Sequence, residues 1–163
     1  MAYMICNEIA AFIADNLEWW WENFGIHHYP DAKSIIILCD AGGGNNYRHH
    51  IFKLALLKLA KKIGRDIVVA HYSPYASRWN PIEHRLFCHV HRAMQGVVFT
   101  DYNIVKALME KPRTETELKV KVRFNLKKYK TGIKVKKEDI AYHRIQFNQN
   151  ISKLFLFICF IFS

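Results

Sequence analysis

Two short apolar runs, Ser34 to Cys39 (SIIILC) and Ile67 to Tyr72 (IVVAHY), flank a segment with helical periodicity. This arrangement constrains the fold more than any other feature. Continuous runs rich in β-branched residues predict strands buried on both faces, as in a parallel sheet. Between them, residues 47–63 (YRHHIFKLALLKLAKKI) place Ile51, Leu54, Ala55 and Leu57 on one side of a helix and Lys58 and Lys62 on the other, and Gly64 follows as its terminator. Strand, helix and strand within about 40 residues predict a right-handed βαβ unit with parallel strands.

The flanking segments extend this α/β reading. Residues 8–24 space Ile9, Phe12, Ile13, Leu17, Trp20, Trp21 and Phe24 as an amphipathic helix, ended by Gly25. Two of the three consecutive tryptophans (Trp19, Trp20, Trp21) fall on its apolar side, which favours core packing over base stacking. After the second strand, Asn80 and Pro81 suit the N-cap and first position of a helix running to about Gln95, burying Leu86, Phe87, Val90 and Met94. A further helix is expected over 101–110. Beyond Pro112 the period changes to two: Leu118, Val120, Val122 and Phe124 alternate with Lys119, Lys121 and Arg123, and a Thr131-Gly132 turn follows, which predicts a basic β-hairpin.

Charge is concentrated in that last region. Residues 111–137 carry 11 basic and 2 acidic side chains, or +9 of the chain's net +10. A polyanion such as nucleic acid is the natural partner, although a solvated ribbon face would have the same composition. The 163 residues suit one domain or part of a larger one, and 51% hydrophobic content excludes a disordered chain. The four cysteines, Cys6, Cys39, Cys88 and Cys159, form no CxxC pair, so reduced thiols in the cytoplasm are expected. The N-terminus has acidic residues and no basic stretch, unlike a signal peptide. The apolar run Leu154–Phe162 is too short to cross a bilayer as a helix, which needs about 20 residues.

Two carboxylates stand out. Asp40 is at the carboxyl end of the first strand, where open α/β sheets place their sites, and three glycines follow it. Glu83 is on the first turn of the helix that follows the second strand. Both can face one end of the sheet, where paired carboxylates suit Mg²⁺ (or Mn²⁺) and phosphoryl transfer. Simpler roles compete: Glu83 closing a capping box with Asn80, and Asp40 as a loop acid or N-cap. The glycine loop lacks the Gly-Lys-Ser/Thr of a P-loop. His84, Cys88 and His91 share a helix face at zinc-compatible spacing, with no CxxC or HExxH to accompany them. Cys39, inside a strand, is a poor nucleophile. Lys119, Lys121, Arg123, Lys127, Lys128, Lys130 and Lys134 are the candidate DNA contacts, with Phe124 and Tyr129 interleaved.

Three stretches, ILCDAGGGNNYRHHIFKLALLKLAKKIG, VVAHYSPYASRWNPIEHRLFCHVHRAMQG and TELKVKVRFNLKKYKTGIKVKKEDI, together resemble the C-terminal half of bacterial insertion-sequence transposases of the ISAzo type. SRWNPIEHRLF is the most specific part, and the resemblance spans residues 5–148. It implies a DDE catalytic domain with an RNase H-like fold, of which the order α-β-α-β-α is the second half. It also implies that Asp40 is the second catalytic Asp and Glu83 the catalytic Glu, both ligands of Mg²⁺, and that the partner is DNA, at transposon ends and target.

The first three strands and the first catalytic Asp of such domains have no counterpart in these 163 residues. The expectation is therefore a remnant of a DNA transposase, inactive alone and prone to self-association. It would comprise a partial catalytic domain (1–110), a basic β-ribbon (111–150) and an aberrant, dispensable hydrophobic tail (151–163). A non-catalytic nucleic-acid-binding protein is the alternative.

Overall fold

The computed structural model describes residues 9–39, 45–46, 48–72, 79–115, 118–130, 132–147 and 157–161. The chain divides into two compact units. One is formed by Met1–Pro74 with Tyr129–Ser163, the other by Tyr75–Lys128. The chain crosses between units twice, between Pro74 and Tyr75 and between Lys128 and Tyr129, the second time inside the basic region.

The first unit is a mixed α/β layer. Helix α1 (Ile9–Trp20) leads through a π-helical turn (Trp21–Gly25) and a last helical turn (Ile26–His28) to strand β1 (Ser34–Cys39). Helix α2 (His50–Ile63) and strand β2 (Asp66–His71) follow. β1 and β2 pair in parallel, Ser34 beside Asp66 through Cys39 beside His71, which bears out the βαβ expectation. α2 begins at His50, three residues later than expected, because Asn46 first turns the chain: its Oδ1 accepts the Arg48 amide at 2.9 Å and its carbonyl accepts the His49 amide at 3.0 Å. Gly64 ends α2 in the left-handed conformation (φ 62°), as its position predicts, and the Gly64 and Arg65 amides both reach the Ala60 carbonyl.

Gly25 does not end the first helix. It keeps right-handed helical geometry (φ −57°), and the helix continues to His28, with Tyr29 and Pro30 after it. The reason is steric. A Cβ at Gly25 would come within 2.5 Å of Trp21 Cε3, so the glycine makes room for an indole. Of the three tryptophans, Trp21 is the buried one, and the Arg65 guanidinium lies 5.6 Å from its ring centre.

Strand β1 also departs from expectation. It is the edge of a four-stranded sheet ordered β1-β2-β4-β3, where β3 is Ile145–Phe147 and β4 is Phe157–Ile161. Ile37 and Cys39 share a face with Ile67 and Val69 and pack with α1 and α2 in a core built on Phe52, Leu56, Leu59 and Ala60. On the opposite face Ile36 is 67% exposed and Leu38 51%, so this strand is not buried on both sides. β2 is an interior strand, with Ile67, Val69, Ala70 and His71 all buried.

β4 corrects the reading of 151–163 as material outside the fold. Phe157–Ile161 lies between β2 and β3, antiparallel to both: Val69 pairs with Cys159 and Ile145 with Ile161. An apolar five-residue strand is what the free edge of β2 requires.

In the second unit, Pro81 and Ile82 open a helix that passes through a π-helical turn (Glu83–Phe87) into α3 (Cys88–Met94). Helix α4 (Tyr102–Glu110) packs against α3. Val90 is buried, Leu86 and Met94 are half-buried, and Phe87, expected in the core, is 44% exposed. The element order α1-β1-α2-β2-α3 is the expected one.

The basic hairpin is not formed among the described residues of 111–136, none of which lies in a strand. The alternation survives, with Leu118, Val120 and Val122 half-buried and Lys119, Lys121 and Arg123 exposed. Side chains take the amides that a partner strand would have taken. Val122 N–H donates to Glu110 Oε1 at 2.6 Å, Leu118 N–H to Thr114 Oγ1 at 3.1 Å, and Lys127 N–H to Asn125 Oδ1 at 3.0 Å. Gly132 does adopt a left-handed turn conformation (φ 72°).

Candidate active site

The carboxyl edge of the sheet is defined by Cys39 and His71, neighbours in register, with the Tyr72 amide donating to the Cys39 carbonyl at 2.8 Å. Asp40 follows Cys39 directly in sequence but lies outside the described residues. His71, 3% exposed, sits at this edge, and its Nε2 is 2.8 Å from the carbonyl of Asn45, in the stretch that leads from Asp40 to α2. A carbonyl only accepts, so Nε2 carries the proton. Sequence reasoning missed this histidine, which reads as the end of an apolar run. The usable signal is a polar ring at the last position of an interior strand.

Glu83 is built up from the turn before it. Pro81 fixes the first helical φ, the Asn80 carbonyl accepts the Glu83 amide at 3.0 Å, and Asn80 Oδ1 accepts the Ile82 amide at 3.4 Å. Asn80 thus caps the helix through the Ile82 amide, and not through the Glu83 amide that a capping box would use. The Glu83 carboxylate does not close a capping box either: it is exposed and makes no hydrogen bond or ion pair among the described residues. It opens a π-helical turn, a local widening that recurs at functional sites. Its neighbours are exposed too, Trp79 at 68% and Ile82 at 41%. Two large apolar side chains thus stand at the surface beside the unengaged carboxylate.

This pattern is identified by comparison. The family described as the Rhodopirellula transposase DDE domain matches residues 2–159. The chain belongs to this DDE transposase family. The match runs into β4, so the strand that the sequence reading set aside lies mostly within the family's span. Neither curated proteins nor solved structures return a match.

The remaining candidates of this transposase domain sort by position. Lys119, Lys121, Arg123, Lys127, Lys128, Lys130 and Lys134 are all exposed. The two interleaved aromatics serve packing: Lys106 Nζ lies 5.6 Å from the Phe124 ring centre, and the Tyr129 hydroxyl donates to Asp15 Oδ2 at 2.8 Å while its ring meets Phe12 edge-on. His84, Cys88 and His91 do not form a zinc site, since no three such side chains are grouped to hold a metal among the described residues. The Cys88 thiol instead donates to the His84 carbonyl at 2.8 Å. Cys39 is buried. No helix among the described residues is long and apolar enough to cross a membrane.

Proposed function

We propose that the chain is the catalytic-site-bearing part of a DNA transposase with an RNase H-like fold, in which Asp40 and Glu83 are two ligands of a Mg²⁺ (or Mn²⁺) centre that acts on phosphodiesters. The single observation that carries this reading is the Glu83 carboxylate, exposed on a helix opened by Asn-Pro and left unengaged, within a chain of the DDE family. Carboxylate oxygens at the surface fit a hard divalent cation, which binds through one or two carboxylates and leaves positions for water and phosphate. Such an ion, when bound, polarises the phosphoryl oxygens and neutralises charge on the attacking and leaving oxygens.

The chain's own residues do the rest. Asn80 and Pro81 fix where Glu83 stands at the head of its helix. His71 holds the far side of the stretch that carries Asp40. The seven exposed cations between Lys119 and Lys134 contact the DNA backbone without reading sequence. The resemblance assigns three carboxylates to the reaction, and Asp40 and Glu83 are the two that it places in this chain. Purified alone, the chain is therefore expected not to nick supercoiled plasmid with Mg²⁺ or Mn²⁺. Metal-dependent nicking abolished by Glu83→Gln would contradict that expectation.

The reading itself is tested by Mn²⁺ binding followed by electron paramagnetic resonance. The wild-type chain is expected to take up the ion, and Asp40→Asn and Glu83→Gln are each expected to weaken uptake by at least about tenfold. Equal uptake by all three would refute the assignment. Binding to DNA with no metal dependence of any kind would favour the non-catalytic alternative.

A further inference from the structure

The helix that carries Glu83 near its head presents a second feature along its exposed side. Exposed pairs recur there every four residues: Glu83 and His84, Phe87 and Cys88, His91 and Arg92. Leu86, Val90 and Met94 line the packed side at the same interval. A pure α-helix, at about 3.6 residues per turn, drifts off a four-residue repeat. The π-helical turn offsets that drift: the Cys88 amide reaches back to the Glu83 carbonyl, so the turn takes in one residue more than an α-turn does. The result is one stripe that begins at the Glu83 carboxylate and runs to Arg92.

The chemistry of the stripe suits a phosphate chain. Glu83 is its one acid, and no carboxylate follows in sequence before Asp101. His91 and Arg92 are exposed and make no ion pair or side-chain hydrogen bond among the described residues. A helix face that meets only water is ordinarily polar throughout, yet this one sets the Phe87 ring, 44% exposed, between the acid and the basic end. The histidines and the thiol that hold no zinc fall on the same stripe, with the Cys88 thiol turned onto the His84 carbonyl at 2.8 Å. The scale also fits. From Glu83 to Arg92 the helix rises about 13 Å at roughly 1.5 Å per residue, and phosphates of one duplex strand follow each other every 3.4 Å or so along the axis, about four of them in that length.

We propose that this stripe is the track of one DNA strand, on which Arg92 and His91 hold a phosphate about four nucleotides from the phosphodiester at Glu83 and the Phe87 ring lies against the sugars between. This rests on the transposase reading for the identity of the ligand. The stripe sets the direction of the strand relative to Glu83, whereas the 119–134 segment supplies charge without direction.

The test is chemical protection of the wild-type full chain with and without a short duplex of mixed sequence. Duplex is expected to slow alkylation of Cys88 by iodoacetamide and modification of His91 by diethylpyrocarbonate severalfold, and to leave His27 and His28, exposed in the first unit, reacting as before. Arg92→Gln should lower the slope of log affinity against log salt by about 1, and Arg92→Lys, which keeps the charge, should retain the full slope. Phe87→Ala should weaken binding severalfold at every salt concentration with the slope unchanged, because an apolar contact releases no counterion. Cys88 and His91 unprotected, or protected no more than His27 and His28, in a chain that still binds duplex would overturn the track and leave the transposase reading standing. So would an unchanged slope in Arg92→Gln. Absence of duplex binding by the wild-type chain would overturn both.

Discussion

Residues 118–124 and 157–161 are the two stretches whose sequences most resemble isolated strands, and they meet opposite fates. The first alternates apolar and basic residues in perfect period two, yet it joins no strand ladder among the described residues, its Val122 amide taken by Glu110. The second is a plain apolar run that resembles nothing periodic, yet it becomes an interior strand between β2 and β3. Alternation describes a surface with one wet and one dry side, which a chain lying on a helix can also have. A strand needs a ladder, and a ladder needs a free edge of matching character. β2, apolar on both faces, offers that edge to 157–161.

The most severe way to break this contrast is to remove β4. Deleting Ile151–Ser163 is expected to abolish cooperative thermal unfolding of the first unit, followed by circular dichroism, because it unpairs β2 and β3 together. Cys159→Pro, which removes a ladder donor from an interior strand, should destabilise by roughly 3 kcal/mol or more. A deletion variant that melts as the full chain does would restore the reading of a dispensable tail.

The matching perturbation of 118–124 is smaller. Glu110→Ala should cost about 1.5–3 kcal/mol by leaving the Val122 amide without its charged acceptor. If the segment paired as a hairpin in solution, this substitution would be close to neutral, and amide exchange at Val122 would stay slow in the variant.

The same segment can be separated from the fold by charge. Reversing Lys119, Lys121 and Arg123 together should leave the melting transition in place while lowering the salt slope of duplex binding by about 2–3. An unchanged slope would make these residues a solvated face and nothing more.

The smallest expected effect concerns Lys62 and Glu18, an exposed ion pair linking α2 to α1. The hydrogen bond and charge of Glu18 raise the Lys62 pKa above its ordinary 10.5. A raised amine pKa contributes stability that is fully present below the unfolded value and is lost as pH climbs through the folded one. Wild type and Glu18→Gln should therefore differ slightly in melting temperature at neutral pH and converge above pH 10.5; a difference that widened there would contradict the assignment.

What was legible in the sequence was local. The βαβ unit followed from two apolar runs and a helical period, and the end of α2 followed from Gly64, because each is decided by neighbouring residues. Gly25 and β1 were misread because their states depend on distant partners: an indole that fills the space a Cβ would take, and an edge that no described element covers. The helix start that carries Glu83 was legible because Asn80 and Pro81 dictate it. His71 was not, since nothing near it in sequence announces that its ring reaches Asn45.

The central claim, that Asp40 and Glu83 serve one metal centre, has a direct test. Fe²⁺ substituted for Mg²⁺ and supplied with hydrogen peroxide and ascorbate generates hydroxyl radicals that cut the polypeptide close to the bound ion. Two cleavage zones, one at Asp40 and one at Glu83, both suppressed by excess Mg²⁺ and both lost in Glu83→Gln, are the expected result. Cleavage at only one of these positions, or at His84, Cys88 and His91 alone, would contradict the account.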